Sequence, residues 1–95
     1  HCGQPLMERC RFLVKGRVQG VGFRAHCQRL ALAEGLCGWA INCPDGSVEI
    51  LLTGDAAAIA RTRALIIAGP PLSRVDEIVE LNTNDDEDPL DFQTG

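Results

Sequence analysis

The chain has 95 residues, of which 45% are apolar, and a formal net charge of −4. This length fits one small domain, and the composition is that of a globular protein. No apolar run approaches the ~18–20 residues of a membrane span, and no signal-peptide pattern is present. We therefore expect a single cytoplasmic domain over 1–95, with a core at about 9–93 and a flexible tail at 1–8.

The charges are distributed unevenly along the chain. The segment 9–33 holds six basic residues and no acidic one, whereas 76–91 holds eight acidic residues and no basic one. A nucleic-acid-binding protein usually has an overall excess of Lys and Arg, so this pattern argues against a nucleic-acid partner. It indicates a local anion site in the basic segment, and we expect the acidic run at 85–88 to be a solvated loop.

The first predicted elements are a strand and a helix. Alternating apolar residues predict a strand at 10–15. A glycine-rich stretch follows, and apolar residues then recur at helical spacing from Phe23. This helix ends at Gly35.

Four further elements complete the pattern. Strands at 37–43 and 47–53 flank Asp45-Gly46, a pair that favours a hairpin turn. A second helix covers 56–68; Asp55 is its expected N-cap, and the prolines after Gly69 terminate it. A strand at 73–81 and a short edge strand at 90–93 follow.

The order of these elements is strand, helix, strand, strand, helix, strand. The compact solution is a ferredoxin-like α/β sandwich of the α+β class. We predict an antiparallel sheet of four to five strands, with both helices packed on one of its faces.

The glycine-rich stretch "GRVQGVG" at 16–22 is the strongest functional signal in the residues themselves. Glycines permit positive φ, and successive N–H groups in such a turn form a concavity that binds anions. The stretch also leads into a helix N-terminus, which favours negative charge, and Arg24 adds a guanidinium suited to phosphoryl oxygens. No acidic cluster lies beside it in sequence, so a catalytic metal is not implied.

The stretch "VKGRVQGVGFR" at 14–24 resembles the first signature of the acylphosphatase family throughout its length. The segment "GWAINCPDGSVEILLTG" at 38–54 is similar to the second signature, with a departure at Ile41, where the family usually has a longer polar or basic residue. The segment 69–78 is also similar to the family. The resemblance covers about residues 10–81.

The resemblance implies a metal-independent, cofactor-free, monomeric hydrolase that converts acyl phosphates to a carboxylate and phosphate. It assigns Arg24 to phosphate binding and Asn42 to positioning a water. It also predicts that the loop holds the phosphoryl group, and that phosphate or sulfate can occupy it. The substrate-binding residues so predicted are Gly16, Arg17, Val18, Gln19, Gly20, Val21 and Gly22.

The five cysteines have no spacing typical of a zinc site or a disulfide framework. We expect free thiols that act as small hydrophobes, with a Cys37–Cys43 pair as the alternative in an oxidising compartment. Cys27 lies on the inner stripe of the first helix, outside the loop, and is not expected to be a nucleophile. His26 is expected on the outer face of that helix, and Trp39 in a core or half-buried strand position.

Two other functions stay open. The chain also resembles the acylphosphatase-like domain of hydrogenase-maturation carbamoyltransferases, although proline is expected after the loop arginine there and Ala25 occupies that position. The second alternative is a phosphate-binding module of the same fold without catalysis.

Overall fold

The computed structural model describes residues 8–83, 89 and 91–94. The elements are β1 (Glu8–Arg17), α1 (Phe23–Ala33), β2 (Cys37–Asn42), β3 (Val48–Gly54), α2 (Ala56–Ala68), β4 (Arg74–Leu81) and β5 (Phe92–Thr94). Their order confirms the prediction. β1 already begins at Glu8; residues 1–7 of the predicted tail and the acidic run at 85–88 lie outside the described residues.

The strands form one five-stranded sheet in the order β4-β1-β3-β2-β5. The first four strands pair antiparallel as predicted. The prediction of an antiparallel sheet is wrong for β5, which pairs parallel with β2, with Thr94 opposite Ala40. The last residue of β4 lies at the same end of the sheet as the first residue of β2. The chain that then crosses to pair with β2 therefore runs parallel to it as β5.

Both helices pack on one face of the sheet and share one apolar core with it. Phe12 and Ile50 are completely buried beneath the helices, against Phe23 of α1 and Ile66 of α2. Burial of such side chains contributes about 1.5–3 kcal/mol each. Trp39 is half-buried, as predicted, and neither described helix is long and apolar enough to cross a membrane.

The cysteines depart in part from the prediction. Cys10, Cys27 and Cys43 are free thiols, whereas Cys37 is disulfide-bonded. Since Cys43 is free, the alternative Cys37–Cys43 pair is wrong. β2 runs between the two residues, and six residues of extended chain span about 20 Å, far beyond the ~7 Å that a disulfide allows between Cα atoms.

Gly16 lies inside β1, at the point where this strand leads toward the loop. The pairing of β1 with β4 shifts register between Lys15 and Gly16, and Gly16 has a φ of 134°. A Cβ atom there would overlap the backbone carbonyl oxygen of Arg74 on β4. Gly16 therefore permits the close approach of two strands where the chain leaves the sheet.

We predict that Gly16→Ala lowers the free energy of unfolding by about 3 kcal/mol or more, because two backbones must separate and positive φ is also strained. Gly35→Ala is the matched control, since Gly35 has a φ of 70° and nothing lies within 4 Å of an added Cβ. It should lose only about 1–2 kcal/mol. Urea unfolding followed by circular dichroism measures both; equal losses would contradict this role of Gly16.

Candidate active site

A pocket of about 220 Å³ opens where the N-terminus of α1 meets the ends of β2 and β5. It includes the predicted catalytic residues Arg24 and Asn42, which lie 18 residues apart in the sequence. The lining residues are Val18, Gly20, Gly22, Phe23, Arg24, Ala25, Asn42 and Thr94. The fold thus joins the two signature segments in one cavity.

The N-terminus of α2 is capped by a side chain, whereas that of α1, which lies at the pocket, is not. The side chain of Asp55 caps α2 by accepting a hydrogen bond from the Ala58 N–H at 3.1 Å. The N-cap of α1 is Gly22, which makes no side-chain cap hydrogen bond, and the first turn contains no acidic residue. The first turn of α1 therefore has the unsatisfied N–H groups and the positive end of a helix dipole at the pocket.

The backbone N–H groups before this helix are also available. The first N–H of α1 with an ordinary hydrogen bond is that of His26, which donates to the Gly22 carbonyl at 3.0 Å. Within the described part of the chain, no N–H of residues 19–25 donates a hydrogen bond of ordinary geometry. Successive free donors of this kind form an anion-binding concavity.

Glycine conformation makes this arrangement possible. Gly20 and Gly22 both have left-handed backbones, with φ of 75° and 77°. Nothing lies within 4 Å of a Cβ added at either residue, so the requirement for glycine comes from the backbone angles. These angles turn the chain from β1 into α1 within a few residues.

Arg24 lies in the first turn of α1 and is half-buried in the pocket wall. Arg11, Arg61, Arg63 and Arg74 each pair with a carboxylate. Among the described residues, no carboxylate pairs with Arg24. Its guanidinium is therefore available to an anion in the pocket, to which it can donate two parallel hydrogen bonds.

Asn42 is the last residue of β2, and its side chain is exposed at the pocket. The turn that follows is held by the Cys43 N–H, which donates to the Ser47 carbonyl at 2.8 Å. Asp45 closes the turn by accepting from the Ser47 hydroxyl at 2.6 Å and the Ser47 N–H at 3.0 Å. These two hydrogen bonds lower the pKa of Asp45. The hairpin thus fixes the strand end that carries Asn42.

The residues predicted to bind substrate do not all line the pocket. Val18, Gly20 and Gly22 line it. Gly16 and Arg17 instead belong to β1 and pair with β4. The remaining two have other contacts: Val21 packs against the core, and Gln19 donates through its side-chain amide to the β2–β3 hairpin.

Thr94 also lines the pocket, although no sequence pattern predicted it. It lies on β5, opposite Ala40 of β2. Ala40 precedes Asn42 by two positions, so Thr94, Ala40 and Asn42 share one face of the sheet. Two contacts fix β5 there: the Gln28 side-chain amide donates to the Phe92 carbonyl at 3.0 Å, and the Gly38 N–H donates to the Asp91 carbonyl at 2.9 Å. The short run "LDFQ" predicted an edge strand but gave no sign of its neighbour.

The other chemically active side chains nearby do not form a second constellation. Cys27 is buried in the core, and burial raises the pKa of its thiol to about 12. His26 is half-buried instead of exposed on the outer face, with Nδ1 at 3.3 Å from Nη2 of Arg29. No group of three or more His, Cys, Asp or Glu side chains among residues 8–83, 89 and 91–94 is placed to hold a metal ion.

Comparison with known proteins gives one consistent result. The sequence model of the acylphosphatase family matches residues 10–94. An acylphosphatase of Chromohalobacter salexigens is 46% identical over 93% of this chain and 98% of its own length. An acylphosphatase of Synechococcus strain RCC307 is 49% identical, and the match spans 61% of that relative.

Solved structures agree. The crystal structure of the acylphosphatase from Bacillus subtilis has a TM-score of 0.86 and 36% identity, with 95% of this chain and 99% of that chain covered. Full-length HypF in the phosphate- and nucleotide-bound form has a TM-score of 0.78 and 26% identity, but the match covers only 12% of that chain. The chain belongs to the acylphosphatase family.

Proposed function

We propose that the protein is an acylphosphatase, which hydrolyses the carboxyl–phosphate bond of acyl phosphates to a carboxylate and phosphate. One observation carries the proposal: free backbone N–H groups, Arg24 and Asn42 converge on one pocket. The curated relatives named acylphosphatase, including one covered over almost its full length, support the same activity.

The first step is capture of the phosphoryl group. The N–H groups of the loop and of the first turn of α1 donate to its oxygens, and the Arg24 guanidinium donates from the side. Catalysis of phosphoryl transfer consists mainly of positioning and charge stabilisation. Donors already fixed by the backbone stabilise the charge that develops in the transition state without reorganisation.

The second step is attack by water. The Asn42 carbonyl oxygen accepts a hydrogen bond from the water, and its NH₂ group donates to the ligand. The water oxygen bonds to phosphorus as the bond from phosphorus to the acyl oxygen breaks, and that electron pair leaves with the carboxylate. Since asparagine is no effective base, the proton of the water passes to an oxygen of the substrate.

The pocket already brings together the groups that the proposed reaction uses, namely the loop N–H groups, Arg24 and Asn42. We propose that the protein acts as a monomer.

Phe23 and Val18 are almost completely buried, and they form the apolar floor of the part of the pocket that holds the phosphoryl group. Thr94, on the rim, offers a hydroxyl and a methyl group to whatever lies beside Asn42.

The second candidate is an acylphosphatase-like domain that serves within a larger protein. The likeness to HypF, in which the matching part is a small share of the chain, favours this candidate. Ala25 directly after Arg24 favours the independent enzyme. Activity of this chain alone would show that catalysis needs no further domain.

We predict that the chain hydrolyses benzoyl phosphate with EDTA present. Arg24→Ala should lower kcat/KM by about 10³-fold or more, as for an arginine that stabilises phosphoryl-transfer charge. Asn42→Ala should lower kcat by about 10²–10³-fold, as for loss of one aligned polar group. Loss of benzoyl phosphate absorbance follows the reaction.

The matched control is Arg29→Ala, since Arg29 is an exposed arginine of the same helix and does not line the pocket. It should retain kcat/KM within about twofold. Turnover that survives both Arg24→Ala and Asn42→Ala would disprove the site, and an inactive wild type that still binds phosphate would favour the non-catalytic module.

Inorganic phosphate should raise the melting temperature of the wild type. At ten times its Kd, a ligand that binds only the folded state adds about 1.4 kcal/mol, or roughly 5–10 °C for a domain of this size. We expect the shift to vanish in Arg24→Ala and to persist in Asn42→Ala. Differential scanning calorimetry over a phosphate series measures it; an undiminished shift in Arg24→Ala would contradict the role of this residue.

Cys27 provides a test against thiol chemistry. Desolvation raises its pKa to about 12, so it is protonated near neutral pH and poorly nucleophilic. We expect Cys27→Ala to be less stable by about 1–2 kcal/mol through loss of packing but to keep kcat within about twofold. A hundredfold fall in kcat in the folded variant would require a mechanism through the thiol.

A further inference from the structure

Gln19 occupies the middle of the loop, between Val18 and Gly20, but its side chain does not line the pocket that both neighbours line. Its Nε2 atom donates to the carbonyl oxygens of Cys43 and Ser47, both at 2.9 Å. The side chain is half-buried. It therefore reaches from the loop to the β2–β3 hairpin.

The chemistry of the amide fixes this assignment. Both partners are backbone carbonyls, which only accept, so the atom facing them must be the NH₂ group. An amide nitrogen carries two protons, and each has an acceptor here. The Gln19 NH₂ group thus has no proton left for a phosphoryl oxygen, unlike the free backbone N–H groups around it.

The two acceptors lie at the base of the hairpin turn. Cys43 directly follows Asn42, and Ser47 lies opposite, since the Cys43 N–H donates to the Ser47 carbonyl at 2.8 Å. One side chain thus joins both strands of the hairpin beside Asn42. Among residues 8–83, 89 and 91–94, the other hydrogen bonds of these carbonyls lie within the turn, where the Gly46 N–H donates to the Cys43 carbonyl at 3.1 Å.

Backbone pairing within the sheet does not connect the loop that contains Gln19 to the β2–β3 hairpin turn. The ladder between β1 and β3 ends at the pair Val14 and Val48, before the loop begins. Residues 18–22 and residues 42–47 lie beyond that pair. Among the described residues, the two hydrogen bonds of the Gln19 side chain are the only ones that join these segments. The hydrogen bonds between the loop and the end of β2 therefore come from this side chain, while Val18 and Val21 hold the loop through packing in the core.

We propose that Gln19 is a positioning residue: it fixes the phosphate-holding loop relative to Asn42, and so aligns the water with the phosphoryl group. This inference rests on the proposed acylphosphatase activity. Alignment matters greatly in such a reaction, because a displacement of about 1 Å can reduce the rate ~100-fold. Phosphate binding itself depends mainly on the loop N–H groups and Arg24, which all lie on the loop side of the Gln19 hydrogen bonds.

The direct test is Gln19→Met, which keeps length and volume but removes both donors. We expect kcat for benzoyl phosphate to fall about 10–100-fold, while the Kd for inorganic phosphate, measured by calorimetry, stays within about threefold. A purely structural role would change both or neither. Melting curves identify an assay temperature at which each variant is folded.

A double-variant cycle with Asn42→Ala gives the sharper readout. If Gln19 acts through Asn42, then Gln19→Met in the Asn42→Ala background should lower kcat by no more than about twofold further. Should Gln19→Met not fold, Gln19→Leu replaces it, because leucine is also uncharged and cannot donate a hydrogen bond.

Three results would overturn the inference. The first two are wild-type kcat in a folded Gln19 variant and a loss of kcat that multiplies fully with that of Asn42→Ala. A tenfold or larger loss of phosphate affinity would do the same, since it would make Gln19 part of the phosphate site. Wild-type turnover in the same assay separates these failures from failure of the proposed function.

Discussion

The uncapped N-terminus of α1 is the feature on which the pocket depends. An α-helix begins with backbone N–H groups that have no partner within the helix, and α2 shows the usual remedy in the Asp55 cap. At α1 the cap position is Gly22 in a left-handed conformation, without a side chain that could accept. The donors therefore stay unpaired among the described residues, and the apolar core under Phe23 fixes their direction. In our proposal they bind the phosphoryl group.

The rest of the fold brings a second group to these donors. β1 and β2 both flank β3 and both run antiparallel to it. The loop after β1 and the last residue of β2 therefore lie at the same end of the sheet. β5 then adds a wall beside β2. In our proposal the loop and Arg24 hold the phosphoryl group, Asn42 holds the water, and Gln19 sets the separation between them. Chemistry of this kind needs alignment more than it needs a strong acid or base.

Much of this arrangement could be predicted from the sequence, because it depends on local patterns. Alternation and helical spacing gave the element order, and Asp45-Gly46 gave the hairpin that follows Asn42. The glycines and Arg24 lie within nine residues of one another, so their association is nearly a local property.

The parts that could not be predicted depend on contacts between distant segments. The parallel pairing of β5, and with it Thr94, follows from the end of the sheet at which β4 finishes, which no local pattern records. The glycine-rich stretch suggested one uniform loop, yet Gly16 serves the close approach of β1 to β4, and Gln19 serves the hairpin. The spacing of α1 alone predicts an exposed His26, whereas packing from other parts of the fold leaves it half-buried.

We propose that the free N–H groups at the start of α1 hold the phosphoryl group. Titration of ¹⁵N-labelled protein with inorganic phosphate, followed by amide chemical shifts, tests it most directly. We expect the largest saturable shifts at the amides of Gly20, Gly22, Arg24 and Ala25. Largest shifts among the arginines of α2, with the amides of residues 19–25 unchanged, would contradict it.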